Sequence, residues 1–333
     1  MNTRSSVPAP CTRRNFVGLL ATAAAAAPFA GLTARVEAAQ PAAAPAVGSA
    51  GPTTIHVFSK PLQGMSYDET AALLAETGYG GIDFSVRPGG HVLPGNVERD
   101  LPRAVEAARR AGLKVEMITT AITDARDPFT ERILGTAAQL GIKYYRLGYV
   151  SYDHQAGVWA SLQKHRAAFA ALAAVNARHG LHGAYQNHSG VRVGGPVWDL
   201  YELARDLDPR WFGVQYDIRH AIVEGGESWP VGFRLLAPWV RCTDIKDFRW
   251  QQSPGKLVVE DVPMGEGVVN FDLYFKLVRE LNVTGPMSVH FEYSPFERLK
   301  EPMAPAQKRS AFAAAMKKDL AVLKDRMAKH GVA

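Results

Sequence analysis

Residues 180–190 read GLHGAYQNHSG. A glycine that closes a helical stretch is followed by an apolar run of strand length. That run ends on Gln186, Asn187 and His188 side by side. Strands covered on both faces are apolar along their length, so three polar residues at one tip mark a strand that ends where polar groups are wanted.

The same unit recurs along the chain. Apolar, β-rich runs lie at 53–59, 80–86, 113–120, 143–149, 181–188, 211–218, 240–247 and 286–293. Amphipathic helical runs separate them, near 66–77, 97–111, 128–140, 155–179, 196–207, 229–237 and 270–281, and a last helix runs near 306–329. Ser66 and Glu69 form a capping box at a helix start, and Gly78, Gly112, Gly141 and Gly180 stand where helices stop before a strand. Strands alternating with helices make parallel βαβ units. Eight of them predict an α/β fold, a closed (β/α)8 TIM barrel that forms one domain over 53–333. An open doubly wound sheet is the other arrangement, but the glycine fingerprint expected after its first strand is missing.

The N-terminal residues stand apart from this pattern. Arg13 and Arg14 precede an Ala-rich apolar stretch, and Val36-Glu37-Ala38 is a small-x-small cleavage candidate. Residues 1–38 therefore read as a twin-arginine signal peptide, recognised by the twin-arginine (Tat) export machinery. Residues 39–52 read as a flexible Pro/Ala linker. This predicts a periplasmic or secreted protein with no stable membrane association after cleavage. Removing 1–38 takes away Arg4, Arg13, Arg14, Arg35 and Glu37, so the formal charge falls from +6 to +3. No Lys/Arg run stands out, which argues against a nucleic-acid partner. Of the two cysteines, Cys11 lies in the signal and Cys242 is left alone, so neither a disulfide nor a cysteine-based zinc site is expected. The sequence carries no signature of an oligomeric state.

In such barrels the active site lies at the C-terminal ends of the strands. Those ends supply Asp83 with Arg87 and His91, Arg146, then Gln186, Asn187 and His188. Further on come Asp217 with His220, Asp244, Lys246 and Asp247, and last His290 and Glu292. Alternation of side chains places Gln186, Asp217, Asp244 and Glu292 on the inward face of four consecutive strands. Three carboxylates aimed at one point would not all stay ionised. A divalent cation resolves this, and oxygen-rich ligands favour Mn²⁺ or Mg²⁺. Other residues have plainer readings. His290 reads as a core or rim histidine, Asp83 as a loop cap, and Asp247 as a structural ion-pair partner of Lys246 or Arg249. Gly265-Glu266-Gly267 is a glycine-rich turn that alone says little about phosphate.

At this point the residues resemble the xylose isomerase-like TIM barrels, the group of sugar phosphate isomerases and epimerases, over roughly residues 53–300. The resemblance rests on YQNH at strand 5, Asp217-Ile-Arg-His220, Asp244-Ile-Lys-Asp247, the segment PMGEGVVNF, and Glu292. It implies metal ligands at Gln186, Asp217, Asp244 and Glu292, with Gln186 standing where the family has a glutamate and Asp244 where it has a histidine. A glutamine amide cannot act as a general base, so symmetric two-glutamate epimerisation is not expected.

The leading expectation is a metal-dependent isomerase or epimerase of a keto-sugar, working by proton abstraction and enediolate stabilisation. Glu292, His188 and Lys246 are the expected catalytic residues, and His91, Arg146 and His220 the substrate-binding ones. A lyase or hydratase acting on a 3-keto sugar or glycoside needs only one base and is the alternative. A catalytically altered periplasmic sugar-binding protein is the third reading. The DNA-repair enzyme endonuclease IV shares this fold, but its many metal-binding His and Glu are lacking here.

Overall fold

Gly78 and Gly180 end their helices with φ of 85° and 65°, a left-handed backbone that glycine adopts without strain. The chain turns there into the next strand. In this computed structural model, which describes residues 53–297 and 303–332, that alternation closes on itself. The expected signal (1–38) and linker (39–52) lie outside the described residues.

In chain order the strands are β1 (Ile55–Phe58), β2 (Gly81–Val86), β3 (Met117–Thr120), β4 (Tyr144–Arg146), β5 (His182–Gln186), β6 (Phe212–Asp217), β7 (Val240–Ile245), β8 (Asp247–Ser253), β9 (Lys256–Val262) and β10 (Met287–Val289). The helices are α1 (Tyr67–Thr77), α2 (Val97–Arg110), α3 (Pro128–Gln139), α4 (Val158–His179), α5 (Val197–Ala204), α6 (Ile218–Gly225), α7 (Trp229–Leu236), α8 (Phe271–Glu280) and α9 (Pro305–Lys329). Strands β1 to β7 and β10 form a closed parallel barrel in the order β1-β10-β7-β6-β5-β4-β3-β2. This is the expected (β/α)8 TIM barrel.

Two elements were not expected. Helix α6 starts directly from β6 with no loop, because the Asp217 carboxylate caps it by accepting from the His220 N–H at 3.1 Å. Strands β8 and β9 form an antiparallel hairpin outside the barrel. The buried pair Arg219–Asp261, at 2.8 Å, ties that hairpin to α6.

Outward-facing side chains such as Val57, Phe84, Tyr145, Tyr185 and Tyr216 are fully buried under the helices. The barrel interior is different. A small apolar cluster of Met117, Ala184 and Cys242 is accompanied by the buried polar residues Asp83, Thr119, Gln215 and Ser288. Asp83 is not a loop cap. It lies inside the barrel and accepts from the hydroxyls of Thr119 (3.0 Å) and Ser288 (2.8 Å), and burial raises its pKa to about 6. The lone thiol of Cys242 is buried and pushed well above its ordinary pKa by that burial.

Candidate functional site

The mouth of the barrel gathers the ends of β5, β6, β7 and β10. Asp217 and Asp244 sit side by side in register, and Gln186 ends the neighbouring strand. Two-residue periodicity then places Lys246 beyond Asp244, and Glu292 beyond His290, on the inner face.

Gln186 cross-links this group. Its Oε1 accepts from Arg146 Nη1 at 2.8 Å and from the Tyr149 hydroxyl. Its Nε2 donates to Asp217 Oδ2 at 2.9 Å and to Asp244 Oδ2. The reverse orientation would put the amide oxygen against two carboxylates and the NH₂ against a guanidinium. Asp244 Oδ1 accepts from Gln215 Nε2 at 2.6 Å. Lys246, 2% exposed, places Nζ 2.9 Å from Glu292 Oε2 and 3.3 Å from Asp217 Oδ2.

The electrostatics follow from this packing. Burial opposes ionisation of Glu292, yet Lys246 and His290 hold it well below the usual carboxylate range. Burial likewise opposes the Lys246 ammonium, but Asp217 and Glu292 raise its pKa well above the usual lysine value. The two form an ion pair at neutral pH. Burial raises the Asp217 pKa, with Lys246 acting against that. His188 is lowered to about 4 by burial, so it is neutral. Its Nδ1–H donates to the Ser189 carbonyl at 2.9 Å, which leaves the lone pair on Nε2.

Asp217, Asp244 and His290 each offer one ligand atom, and these atoms lie within 4.8 Å of one another. His290 Nε2 is buried without a hydrogen-bond partner, although it is 3.1 Å from Asp244 Oδ1. Two carboxylates and an imidazole left bare on that side fit a divalent cation. Glu292 Oε1 lies 3.9 Å from the other ring nitrogen of His290, behind the ligand rather than among the ligands.

Of the four expected ligands, Gln186 turns its nitrogen, which cannot ligate, toward the carboxylates, and Glu292 is engaged by Lys246. Asp217 and Asp244 converge with His290. The sequence signal for it was there: His290 and Glu292 share a face of one strand, and a histidine beside a carboxylate at a barrel mouth is a ligand pattern.

A cavity of about 120 Å³ opens beside this group. Its walls include Phe58, Arg87, Arg146, Tyr149, His188, Lys246 and Glu292. Arg146, His188, Lys246 and Glu292 are therefore brought together on one wall. His91 is not: its ring bonds the Met65 carbonyl at 2.9 Å and packs edge-on against Phe84, so it braces its own loop. His220 is also absent from the wall. It is 2% exposed, lies behind His188 at a ring distance of 3.9 Å, and contacts Lys246 Nζ through Nε2 at 3.0 Å. Burial and the Lys246 charge hold it neutral. Asp247 is neither a site residue nor an ion-pair partner of Lys246 or Arg249. Its carboxylate accepts from the backbone N–H groups of Gly265, Gly267 and Val269 at 2.9, 3.0 and 3.1 Å. A Cβ on Gly267 would stand 2.1 Å from that carboxylate. The glycine-rich turn is thus filled by the protein's own anion.

The sequence matches the model of the xylose isomerase-like TIM barrel family over residues 71–326, and the chain belongs to that family. No curated protein matches the sequence. Among solved structures, the chain is similar to a probable 3-DHS dehydratase involved in petrobactin synthesis from Bacillus anthracis. The identity is 16%, with 80% of this chain and 98% of that one covered and a TM-score of 0.59. It is similar to 3-keto-D-glucoside 4-epimerase from E. coli at 16% identity, with 79% and 98% covered and a TM-score of 0.56. A xylose isomerase-like TIM barrel protein from Mycobacterium smegmatis, in complex with magnesium, is 12% identical, with 84% and 97% covered and a TM-score of 0.59. At these identities the likeness is one of fold.

Proposed function

We propose that this member of the xylose isomerase-like family is a metal-dependent enzyme that isomerises or epimerises a keto-sugar by removing a proton from the carbon beside its carbonyl. The observation that carries this reading is the Glu292–Lys246 ion pair on the cavity wall, set against the Asp217–Asp244–His290 group. A divalent cation held by those three residues, Mn²⁺ or Mg²⁺ in this reading, would polarise the carbonyl as a Lewis acid.

The chain's own residues account for the rest. Glu292 Oε1 is the oxygen not bonded to Lys246, and it accepts the substrate proton. Lys246 keeps Glu292 ionised and lends positive charge where negative charge develops on substrate oxygen. His188 Nε2 accepts from a substrate hydroxyl. The proton returns from Glu292 or from Lys246, since Gln186 can hold none.

The test is incubation of the full chain with Mn²⁺ and a panel of keto-sugars and 3-keto glycosides in D₂O. The reading predicts deuterium at the carbon beside the carbonyl and a stereoisomer or positional isomer of the substrate. Lack of exchange into any of them would contradict it. Gln186 favours one further reading. With a single carboxylate able to serve as base, loss of a β-leaving group needs no second base, and a lyase would give cleavage products from the same incubation. Binding without exchange or cleavage would instead fit a sugar-binding protein.

Export by the twin-arginine machinery, and hence a periplasmic or secreted location, is proposed from residues 1–38. An Arg13→Lys, Arg14→Lys double variant should remain in the cytoplasmic fraction; if it is still exported, the signal has been misread.

A further inference from the structure

Among the described residues, two guanidiniums on the cavity wall have no carboxylate partner. Arg146 is 3% exposed. Among the described residues, its Nη1 donates to neutral acceptors, Gln186 Oε1 at 2.8 Å and the Tyr149 hydroxyl at 3.1 Å, and its buried Nε has no partner. Arg87 is half-buried and, among the described residues, makes no side-chain hydrogen bond or ion pair. It lies over the Phe58 ring at 5.4 Å, and Arg146 lies over the same ring at 5.8 Å. Burial, and then Arg146, lower the Arg87 pKa, with Tyr149, Asp83 and Glu292 acting against them.

The other cations of the cavity are matched. Lys60 pairs with Glu297 at 2.6 Å, and Lys246 with Glu292 at 2.9 Å. Glu292 is the one carboxylate on the wall among the described residues, and it is taken. Burying a charge with no opposite charge is costly. A pair of such charges against one aromatic ring, on the wall of an open cavity, is explained by an anion that arrives with the ligand.

We propose that Arg87 and Arg146 form an anion subsite for the carboxylate of an acidic sugar, so that the substrate is a sugar acid and not a neutral sugar. This rests on the carbohydrate reading above for the ring, while the anion is argued from the arginines alone. Flat guanidinium forks match a planar carboxylate. The same forks match phosphate as well, but the glycine-rich turn that could add backbone N–H groups to a phosphate is filled by Asp247.

The test is calorimetric titration of the full chain, with and without Mn²⁺, against glucose and glucuronate, galactose and galacturonate, and glucose 6-phosphate. Each uronate should bind at least about tenfold more tightly than its neutral partner, the scale of one charge-assisted contact. Arg87→Gln should shrink that difference severalfold, weakening each uronate more than its neutral partner, at a melting temperature nearly unchanged. Uronates no tighter than their neutral partners, or Arg87→Gln weakening both alike, would overturn the subsite. A preference for glucose 6-phosphate over both uronates would overturn the carboxylate assignment. Binding is read here without turnover. Acid preference without proton exchange therefore defeats only the isomerase reading, and exchange into neutral sugars without acid preference defeats only the subsite.

Discussion

Both ends of this barrel bury histidine, and they bury it differently. At the N-terminal end, His56 bonds the Thr54 carbonyl at 3.2 Å and the Glu116 N–H at 3.4 Å, and His182 bonds the Arg210 carbonyl at 3.3 Å. Their hydrogen-bond partners are backbone groups, with the Glu116 carboxylate 3.5 Å from His56 Nε2 and, among the described residues, His182 Nε2 left without a partner. At the mouth, His290 Nε2 faces the Asp244 carboxylate without a hydrogen bond, and His188 presents a bare nitrogen to a cavity. Burial lowers His56 to about 4 and His188 to about 4 alike. A shifted pKa therefore does not separate scaffold from site. The surroundings do: hydrogen bonds to backbone carbonyls and an amide at one end, convergent charged side chains beside an open cavity at the other.

The largest effect that would break this comparison is on chemistry. Glu292→Gln should cut turnover by about 10²–10⁴-fold, the range for one acid–base group, with a melting temperature close to that of the wild type. Turnover that survives would remove Glu292 from the mechanism. Gln186→Glu sharpens the comparison next. It would add a third carboxylate beside Asp217 and Asp244 in place of a donor that bonds both. The metal-free variant should be less stable by roughly 2–4 kcal/mol, and Mn²⁺ should restore more stability than it does in the wild type. Equal denaturation midpoints with and without Mn²⁺ would contradict this.

The smallest effect belongs to the other end. His56 is neutral in the fold and protonates near pH 6.5 when unfolded, so the unfolded chain binds the extra proton as pH falls. Its contribution is complete above about 6.5 and is lost between there and about 4, roughly 2–3 kcal/mol. In His56→Gln that part of the acid destabilisation should vanish, with turnover at neutral pH unchanged. An unaltered stability–pH curve would mean the ring protonates without unfolding.

The barrel was readable because both of its periods are strong: apolar runs of strand length, and helices ended by glycine. The hairpin β8–β9 was hidden because β7 runs into it with only Lys246 between them, although Ser253-Pro254-Gly255-Lys256 marks its turn. Helix α6 was hidden because Asp217 is at once a strand end, a helix cap and a site residue. Within the site, alternation placed Gln186, Asp217, Asp244 and Glu292 on one face. It could not tell which amide atom Gln186 turns inward, since that depends on Arg146 and Tyr149 from a neighbouring strand and loop. His91 and His220 were misplaced for a similar reason: their carbonyl, histidine and lysine partners lie far away in sequence.

The central claim is that Asp217, Asp244 and His290 hold a divalent cation at the mouth. Metal analysis of the purified full chain, after reconstitution with Mn²⁺ or Mg²⁺ and desalting, tests it most directly, with Asp244→Asn alongside. The account predicts close to one ion per chain in the wild type and almost none in the variant, at similar melting temperatures for the two metal-free proteins. Equal metal content in both, or none in the wild type, would contradict it.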